Sequence, residues 1–291
     1  MHLTSFLVVV IGVIVCGVLA TAAVNLSLKT SILCSDEEWL QDRISYVNEI
    51  FRNLSVIPKR IHVSWKIKDI LSPEWAHFST VKHGLHALRD LNPEYELIFS
   101  DDADVEKYLQ LYLSQGDYAL IKPRKIVEKV DLWRWLKMYH EGGIYSDIDR
   151  VHDTPFRDVL VKKNLKCFLP VWMETDFSQD ILISAPGNEI YRLAIQMNLQ
   201  RRREGWVDIM ALGPCTLFHA ACYVLLGEHK ARQPSRKTLA ELRRIIIDSD
   251  FLDTFSEDDT KVTFLNKNGY PTDDKDAFYE KCNVIHWTSD S

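Results

Sequence analysis

Gly142-Gly143-Ile144-Tyr145-Ser146-Asp147-Ile148-Asp149 sets two acids one residue apart at the end of a short apolar run. In a strand, alternate side chains share a face. Tyr145, Asp147 and Asp149 are therefore expected on one side, and Ile144 and Ile148 on the other. Two carboxylates on one face suit Mg²⁺ or Mn²⁺, which bind hard oxygen donors and leave positions open for other ligands. Asp-x-Asp by itself is a common tripeptide, and read alone it is a solvated strand end before a turn. Its flanks decide the reading.

The flank before it is helical. Pro123 is placed to start a helix that runs to about His140, and Gly142-Gly143 supplies a left-handed cap and turn. Asp131 and Arg134 are three residues apart on that helix and share a face. On a wet surface they would be an ion pair of little consequence. The same helix carries Val127, Val130, Trp133, Trp135, Leu136 and Met138, which predicts a mostly buried helix. A charged pair there, leading straight into Asp147, points to one site, with an acid to hold a hydroxyl and an arginine to hold a hydroxyl or phosphate oxygen.

Further out, Arg60–Trp65 and Tyr95–Phe99 read as strands. Helices are expected from Trp75 to Asp90 and from Ala103 to Leu113. After the Asp-x-Asp come strands near Cys167–Val171 and Ile181–Ser184, then helices at Glu189–Arg203, Pro214–Leu226 and Leu239–Ile247. Late strands are expected at Val262–Leu265 and Val284–Trp287. Alternating strands and helices with short connections predict an α/β domain with a mostly parallel sheet. With 291 residues, 46% hydrophobic and 26% charged, the composition is that of a globular chain. The formal net charge of -6 argues against nucleic acid as the main partner.

The first segment reads separately. Phe6–Val24 is an apolar run just long enough to span a bilayer. It fits a signal anchor within residues 1–28, or a cleaved signal peptide with Ala20-Thr21-Ala22 as its processing site. Either sends the remainder into the secretory pathway, in agreement with the sequons Asn25-Leu26-Ser27 and Asn53-Leu54-Ser55. Ser35 with Glu38 forms a capping box that opens a helix, giving a helical stem over residues 29–55 before a main domain of 56–291. Cys34, Cys167, Cys215, Cys222 and Cys282 are odd in number, so disulfides are allowed with one thiol left over.

Asp131-x-x-Arg134 followed by Gly142-Gly143-Ile144-Tyr145-x-Asp147-x-Asp149 resembles the signature of the DXD sugar-binding glycosyltransferases of family 32, which include fungal α-mannosyltransferases and inositol-phosphorylceramide mannosyltransferases. The family is related to the glucosylating domains of clostridial toxins. Other stretches keep its order: Ile57–Trp65, Asn92–Glu96, Asp101–Asp104, Ser184–Asn188, Gly213-Pro214 and Ile285-His286-Trp287.

The resemblance implies a GT-A fold, Rossmann-like, with a nucleotide sugar at the carboxyl edge of the sheet. It implies that Asp131 and Arg134 contact the donor sugar and that Tyr145 lies against the donor. Asp147 would touch sugar or ribose and reach the metal through water, and Asp149 would bind Mn²⁺ or Mg²⁺ directly. Trp65 would stack on or beside the base, and His286 and Ser289 would complete the metal or diphosphate site. Asp180 is a donor- or acceptor-side acid, or a loop acid. The implied reaction retains anomeric configuration and moves a hexose, mannose first, from GDP-mannose or a UDP-sugar to a glycan or glycolipid. The implied location is the Golgi or ER membrane, single-pass, with the catalytic domain lumenal. Two features depart from the family. Arg150 replaces an apolar residue, and the serine–tryptophan pair that closes the last strand is not among the residues up to Ser291, which bears on donor closure.

Two other classes compete with this reading. Asp147-Ile148-Asp149-Arg150-Val151 also fits the Asp-x-Asp-x-Val opening of haloacid-dehalogenase phosphatases, where the first Asp is the nucleophile. That motif sits on a domain's first strand, and this one follows a long α/β stretch. An inactive lectin-like relative would not need Asp131, Arg134, Asp147 and Asp149 together.

Overall fold

A computed structural model of the chain describes residues 36–66, 79–148, 152, 154–169, 171–172, 176–177, 179–231 and 236–254. Its elements, in chain order, are α1 (Asp36–Arg52), β1 (Arg60–Ser64), α2 (Ser79–Leu91), β2 (Glu96–Ser100), α3 (Asp102–Tyr112), α4 (Gln115–Ile121), α5 (Ile126–His140) and β3 (Gly143–Ser146). After these come α6 (Phe156–Val159), β4 (Cys167–Phe168), β5 (Val171–Trp172), β6 (Asp176–Phe177), β7 (Ile181–Ser184), α7 (Glu189–Arg203), α8 (Ile209–Leu212), α9 (Pro214–Leu226), α10 (Glu228–Ala231), α11 (Arg236–Asp248) and β8 (Leu252–Asp253). The chain clusters into two units, Met1–Arg43 and Ile44–Ser291, and the sheet belongs to the second. The apolar run Phe6–Val24, Ser35 and the expected strands Val262–Leu265 and Val284–Trp287 lie outside the described residues.

Six strands form one sheet in the order β2-β1-β3-β7-β4-β8. β1 pairs in parallel with β2 and with β3, and β4 with β8, while β7 runs antiparallel to both β3 and β4. The sheet is therefore mixed, because β7 reverses between two strands that run the same way. The register sets Ile61 opposite Ile144, His62 opposite Tyr145 and Ser146 opposite Ile181.

Alternation sorts the two faces. Ile61, Val63, Ile144, Ile148, Ile181 and Ile183 join Leu85 and Leu88 of α2 in one buried cluster. Tyr145 faces the other way, edge-on to Trp133 of α5 with ring centroids 6.0 Å apart. Helices on both faces of a mainly parallel sheet are the α/β arrangement. Residues 131–138 of α5 are buried without a break, so this helix has no wet face. Its buried charges Asp131, Arg134 and Lys137 stand among large apolar side chains, and truncating Trp133 or Trp135 to alanine costs about 3–5 kcal/mol.

The turn from α5 into β3 requires glycine twice. Gly142 and Gly143 have φ of 64° and 100°, where a side chain is strained. A Cβ on Gly142 would meet Pro186 Cδ at 2.6 Å, and one on Gly143 would meet the Arg60 carbonyl oxygen at 2.7 Å. The turn can press against β1 and β7 only without side chains.

Some expected boundaries shift. Lys125, not Pro123, is the N-cap of α5. Helix α4 is one that apolar periodicity does not announce; the Ser114 side chain opens it by accepting from the Asp117 N–H at 3.1 Å. The strand expected over Cys167–Val171 divides into β4 and β5. Among the described residues one apolar stretch, Ile209–Leu226, has the length and hydropathy of a membrane span. Half of it is buried inside the fold, in keeping with a core helix. Among the described residues Cys167, Cys215 and Cys222 form no disulfide.

Candidate active site

β1, β2 and β3 all end at one edge of the sheet. Antiparallel β7 brings its beginning to that same edge, since Ile181 pairs with Ser146. The edge thus collects Trp65 after β1, Asp147 after β3, and Gln179 and Asp180 before β7. Open α/β sheets bind ligands at their carboxyl ends. Asp147 is tied there by its N–H, which donates to the Asp180 carbonyl at 2.8 Å.

Arg134 gathers the cluster. Its Nη2 donates to Asp131 Oδ1 at 2.7 Å, and its Nη1 donates to the Gln179 carbonyl at 2.7 Å and reaches Asp147 Oδ1 at 3.5 Å. The guanidinium lies over the Tyr145 ring, 4.8 Å from its centre. The Tyr145 hydroxyl donates to Asp147 Oδ1, so strand alternation carries as far as Asp147. Side-chain exposure is 10% for Asp131, 8% for Arg134 and 31% for Asp147. The Asp131–Arg134 pair is therefore not a surface pair. It is a buried one, opening toward solvent on the Asp147 side.

Burial pushes the Asp131 carboxyl up, against the pull of Arg134 and Arg202. Burial disfavours the Arg134 charge, but Tyr145, Asp131, Asp147 and Asp180 outweigh it and raise the guanidinium further. Tyr145 is raised well above the usual phenol range, first by burial, with Asp147 adding to the rise. The hydroxyl thus stays a donor to Asp147.

Three residues of this site were given no site role by the sequence. Gln179 gives its carbonyl to Arg134, and its Oε1 accepts from Trp135 Nε1 at 2.9 Å. Gly213 lies against Asp131, whose Oδ2 would be 2.8 Å from a Cβ at that position. Arg202 of α7 donates to Glu128 Oε2 at 2.6 Å and to Asn198 Oδ1 at 2.8 Å, and Asn198 Nδ2 donates to the Leu212 carbonyl at 2.7 Å. That chain of bonds fixes the 212–213 corner to α5, the helix that carries Asp131. Gly213-Pro214 is visible in the sequence as a loop, but its approach to Asp131 is not.

Two further expected site residues are described. Trp65 is half-buried and packs against the core cluster beneath β1, with its main-chain N–H donating to the Ser100 carbonyl at 3.1 Å. Asp180 is buried beside the cluster rather than set on an exposed loop. Asp149, His286 and Ser289 lie outside the described residues. Among the described residues no group of three His, Cys, Asp or Glu side chains gathers as a cation would need. Of the expected ligands they include Asp147, a carboxylate at the open side of the site.

Residues 79–166 match the model of a glycosyltransferase sugar-binding region containing a DXD motif. The match includes Asp131, Arg134, Asp147 and Asp149, and stops before Gln179 and Gly213. Over these residues the chain is similar to DXD-type glycosyltransferases. It is 25% identical over 257 residues to inositol phosphoceramide mannosyltransferase 2 of Schizosaccharomyces pombe, covering 85% of this chain and 67% of that one. It is 33% identical over 112 residues to inositol phosphoceramide mannosyltransferase 3 of the same yeast, covering 36% of this chain and 28% of that one. A third relative, mannosyl phosphorylinositol ceramide synthase CSH1 of Saccharomyces cerevisiae, is 26% identical over 151 residues, covering 52% of this chain and 37% of that one. The chain therefore spans about a third of the latter two relatives' lengths. Among solved structures it is similar to PaToxG glycosyltransferase, at 18% identity and a TM-score of 0.45, covering 71% of this chain and 82% of that one. It also resembles mouse xyloside xylosyltransferase 1, at 11% identity and a TM-score of 0.30, covering 69% and 86%.

Proposed function

We propose that this chain is a glycosyltransferase, a retaining, metal-dependent hexosyltransferase of GT-A type that moves mannose from GDP-mannose to a glycan or glycolipid. The observation that carries the reading is the buried Asp131–Arg134–Tyr145 cluster opening through Asp147 at the carboxyl edge of the sheet, inside the matched sugar-binding region. Mannose is favoured over the hexoses of UDP-sugars because the curated relatives are named as mannosyltransferases or mannosyl-lipid synthases. Inositol phosphoceramide, in the names of two of them, makes a sphingolipid with an inositol phosphate headgroup the first acceptor to test, the product being a glycosphingolipid.

In this reading Arg134 keeps a positive charge where the donor's anionic groups arrive, and Asp131 accepts from a sugar hydroxyl. Tyr145 holds the Asp147 carboxylate toward the open side. Asp149, with His286 and Ser289, would hold Mn²⁺ or Mg²⁺. A divalent cation bound there supplies charge neutralisation for a leaving diphosphate. Trp65 would lie beside the base. Residues 56–291 would form a lumenal catalytic domain, carried behind a stem and a single membrane-spanning segment in the Golgi or ER.

The test is a panel of GDP- and UDP-sugars assayed for hydrolysis with Mn²⁺, with and without chelator, on the intact chain and on Asp149→Ala. Chelator-sensitive GDP-mannose turnover that Asp149→Ala abolishes, with melting unchanged, is the expected result. UDP-sugar turnover would replace the donor. Full activity in Asp149→Ala would remove the metal assignment. Phosphate release from simple monoesters, with no sugar-nucleotide turnover, would move the chain to the phosphatase class.

A further inference from the structure

Of the two sequons, Asn53-Leu54-Ser55 falls among the described residues and Asn25-Leu26-Ser27 lies outside them. Asn-x-Ser arises by chance in many chains, so the setting decides whether a bulky, hydrated group can stand there. The setting is a turn directly after α1, in which the Leu54 N–H donates to the Phe51 carbonyl at 3.1 Å. Asn53 and Ser55 are exposed on either side of Leu54, which is partly buried. Leu54 faces inward: a Cβ on Gly187 would lie 3.7 Å from its Cδ2. Val56, next along, is 75% exposed.

The turn is held while the Asn53 side chain stays clear. Before it on α1, the Asn48 Oδ1 accepts from the Ser249 hydroxyl at 2.7 Å and from the Asp250 N–H at 3.0 Å. After it, the Ser55 carbonyl accepts from Lys166 Nζ at 3.0 Å. Among the described residues no group bonds the Asn53 side-chain amide. The turn also lies away from the candidate active site. It precedes β1, which starts at Arg60, and it meets Lys166 just before β4 and Gly187 just after antiparallel β7. Those positions mark the amino edge of the sheet. Asp147 and Arg134 serve the carboxyl edge, about 13 Å away at about 3.3 Å per residue along β1.

We propose that Asn53 is an N-glycosylation site that takes an oligosaccharide on its side-chain nitrogen. It rests on the lumenal placement proposed above, because the donor, an oligosaccharide carried on a polyprenyl diphosphate, is used on that side of the secretory membranes. The Asn53 nitrogen bonds to the anomeric carbon of the first sugar, and the bond from that carbon to the diphosphate oxygen breaks. The polyprenyl diphosphate leaves, and the proton lost from the amide balances its release. The Ser55 hydroxyl marks Asn53 as the acceptor. In the folded chain the glycan stands in solvent beside Val56 and leaves the catalytic edge open.

The test expresses the full chain in eukaryotic cells and isolates it in sealed membrane vesicles. Glycosidase release in heavy-oxygen water turns a glycosylated asparagine into a labelled aspartate, and peptide mass spectrometry reads residue 53. The expected result is label at residue 53 that is lost in Ser55→Ala and kept in Ser55→Thr. Asn53→Gln should migrate faster than the parent chain by one glycan. Protease added outside the vesicles reads the lumenal placement separately. A protected chain with residue 53 unlabelled would overturn the inference alone. A digested chain without label would overturn the lumenal placement and the inference together. Label that persists in Ser55→Ala would also overturn the inference, since the sequon would not direct the transfer.

Discussion

Gly213 approaches Asp131 so closely that a Cβ on residue 213 would lie 2.8 Å from the Asp131 carboxylate and 3.2 Å from Gln179 Nε2. Its φ is −93° with ψ −108°, and the space a Cβ would need is already taken. Gly213→Ala must displace the Asp131 carboxylate or the 212–213 corner. We expect overpacking to cost about 1–3 kcal/mol and transfer to fall far more than melting does. Turnover and melting temperature on one preparation check this, and full activity would show that Asp131 can move without consequence.

Arg134 serves three oxygens at once, on Asp131, Gln179 and Asp147. A lysine keeps the charge but not the planar fork. Arg134→Lys is therefore expected to weaken donor binding and turnover together, by about one to two orders of magnitude for a lost charge-assisted bond. Arg134→Met leaves Asp131 buried without its partner and should destabilise by about 3–5 kcal/mol. Donor titration with chemical denaturation separates the two effects. Equal stability of the two variants would count against the buried pair.

His62 of β1 donates from Nε2 to the Gly142 carbonyl at 3.0 Å, since a carbonyl can only accept. Burial, with Lys137, lowers its pKa to about 4; Arg60 pushes the same way, while Gly142 and Glu141 oppose. Above the unfolded value near 6.5 both states are neutral. Below it the unfolded chain takes up a proton that folded His62 refuses until about pH 4. Stability should then fall as pH drops through that window, by on the order of 3 kcal/mol. Urea midpoints from pH 7 to 4 should decline less steeply in His62→Gln, which keeps a donor but does not titrate. Matching slopes would exclude His62 as the cause.

Lys162 closes off the end of α11. Its Nζ donates to the carbonyls of Ile247 at 2.9 Å, Ser249 at 2.7 Å and Leu252 at 2.6 Å. Those are orphan acceptors at the end of a helix and the start of β8. Lys162→Met keeps the stem and removes the donor. A loss of about 1–3 kcal/mol is expected, with donor turnover unaltered at temperatures where the chain stays folded. Thermal melts and sugar-nucleotide assays decide it.

The features legible in the sequence are those written locally. The strands at 60–64 and 181–184 and the helices at 189–203 and 214–226 follow from apolar period, Pro214 and an Asn188 cap. Gly142-Gly143 announced a left-handed turn, and both glycines have positive φ. Helix α4 escaped because a seven-residue helix has too few turns to show a period. The direction of β7 escaped because sequence alternation is the same for a strand run either way. Gln179 escaped because its role uses a main-chain carbonyl, which every residue has.

The sequence by itself determined that Asp131 and Arg134 share a helical face, that Tyr145 and Asp147 share a strand face, and that both lie in a stretch similar to DXD-type sugar-binding regions. Spacing of three or two residues is enough for that, because helix and strand have fixed periods. Only the tertiary structure decided that the four belong to one buried cluster rather than two surface pairs. That takes α5 buried on all sides, β7 running backwards to bring Gln179 to the carboxyl edge, and Gly213 closing on Asp131. Each is a contact between residues far apart in the chain, set by packing that no local period encodes.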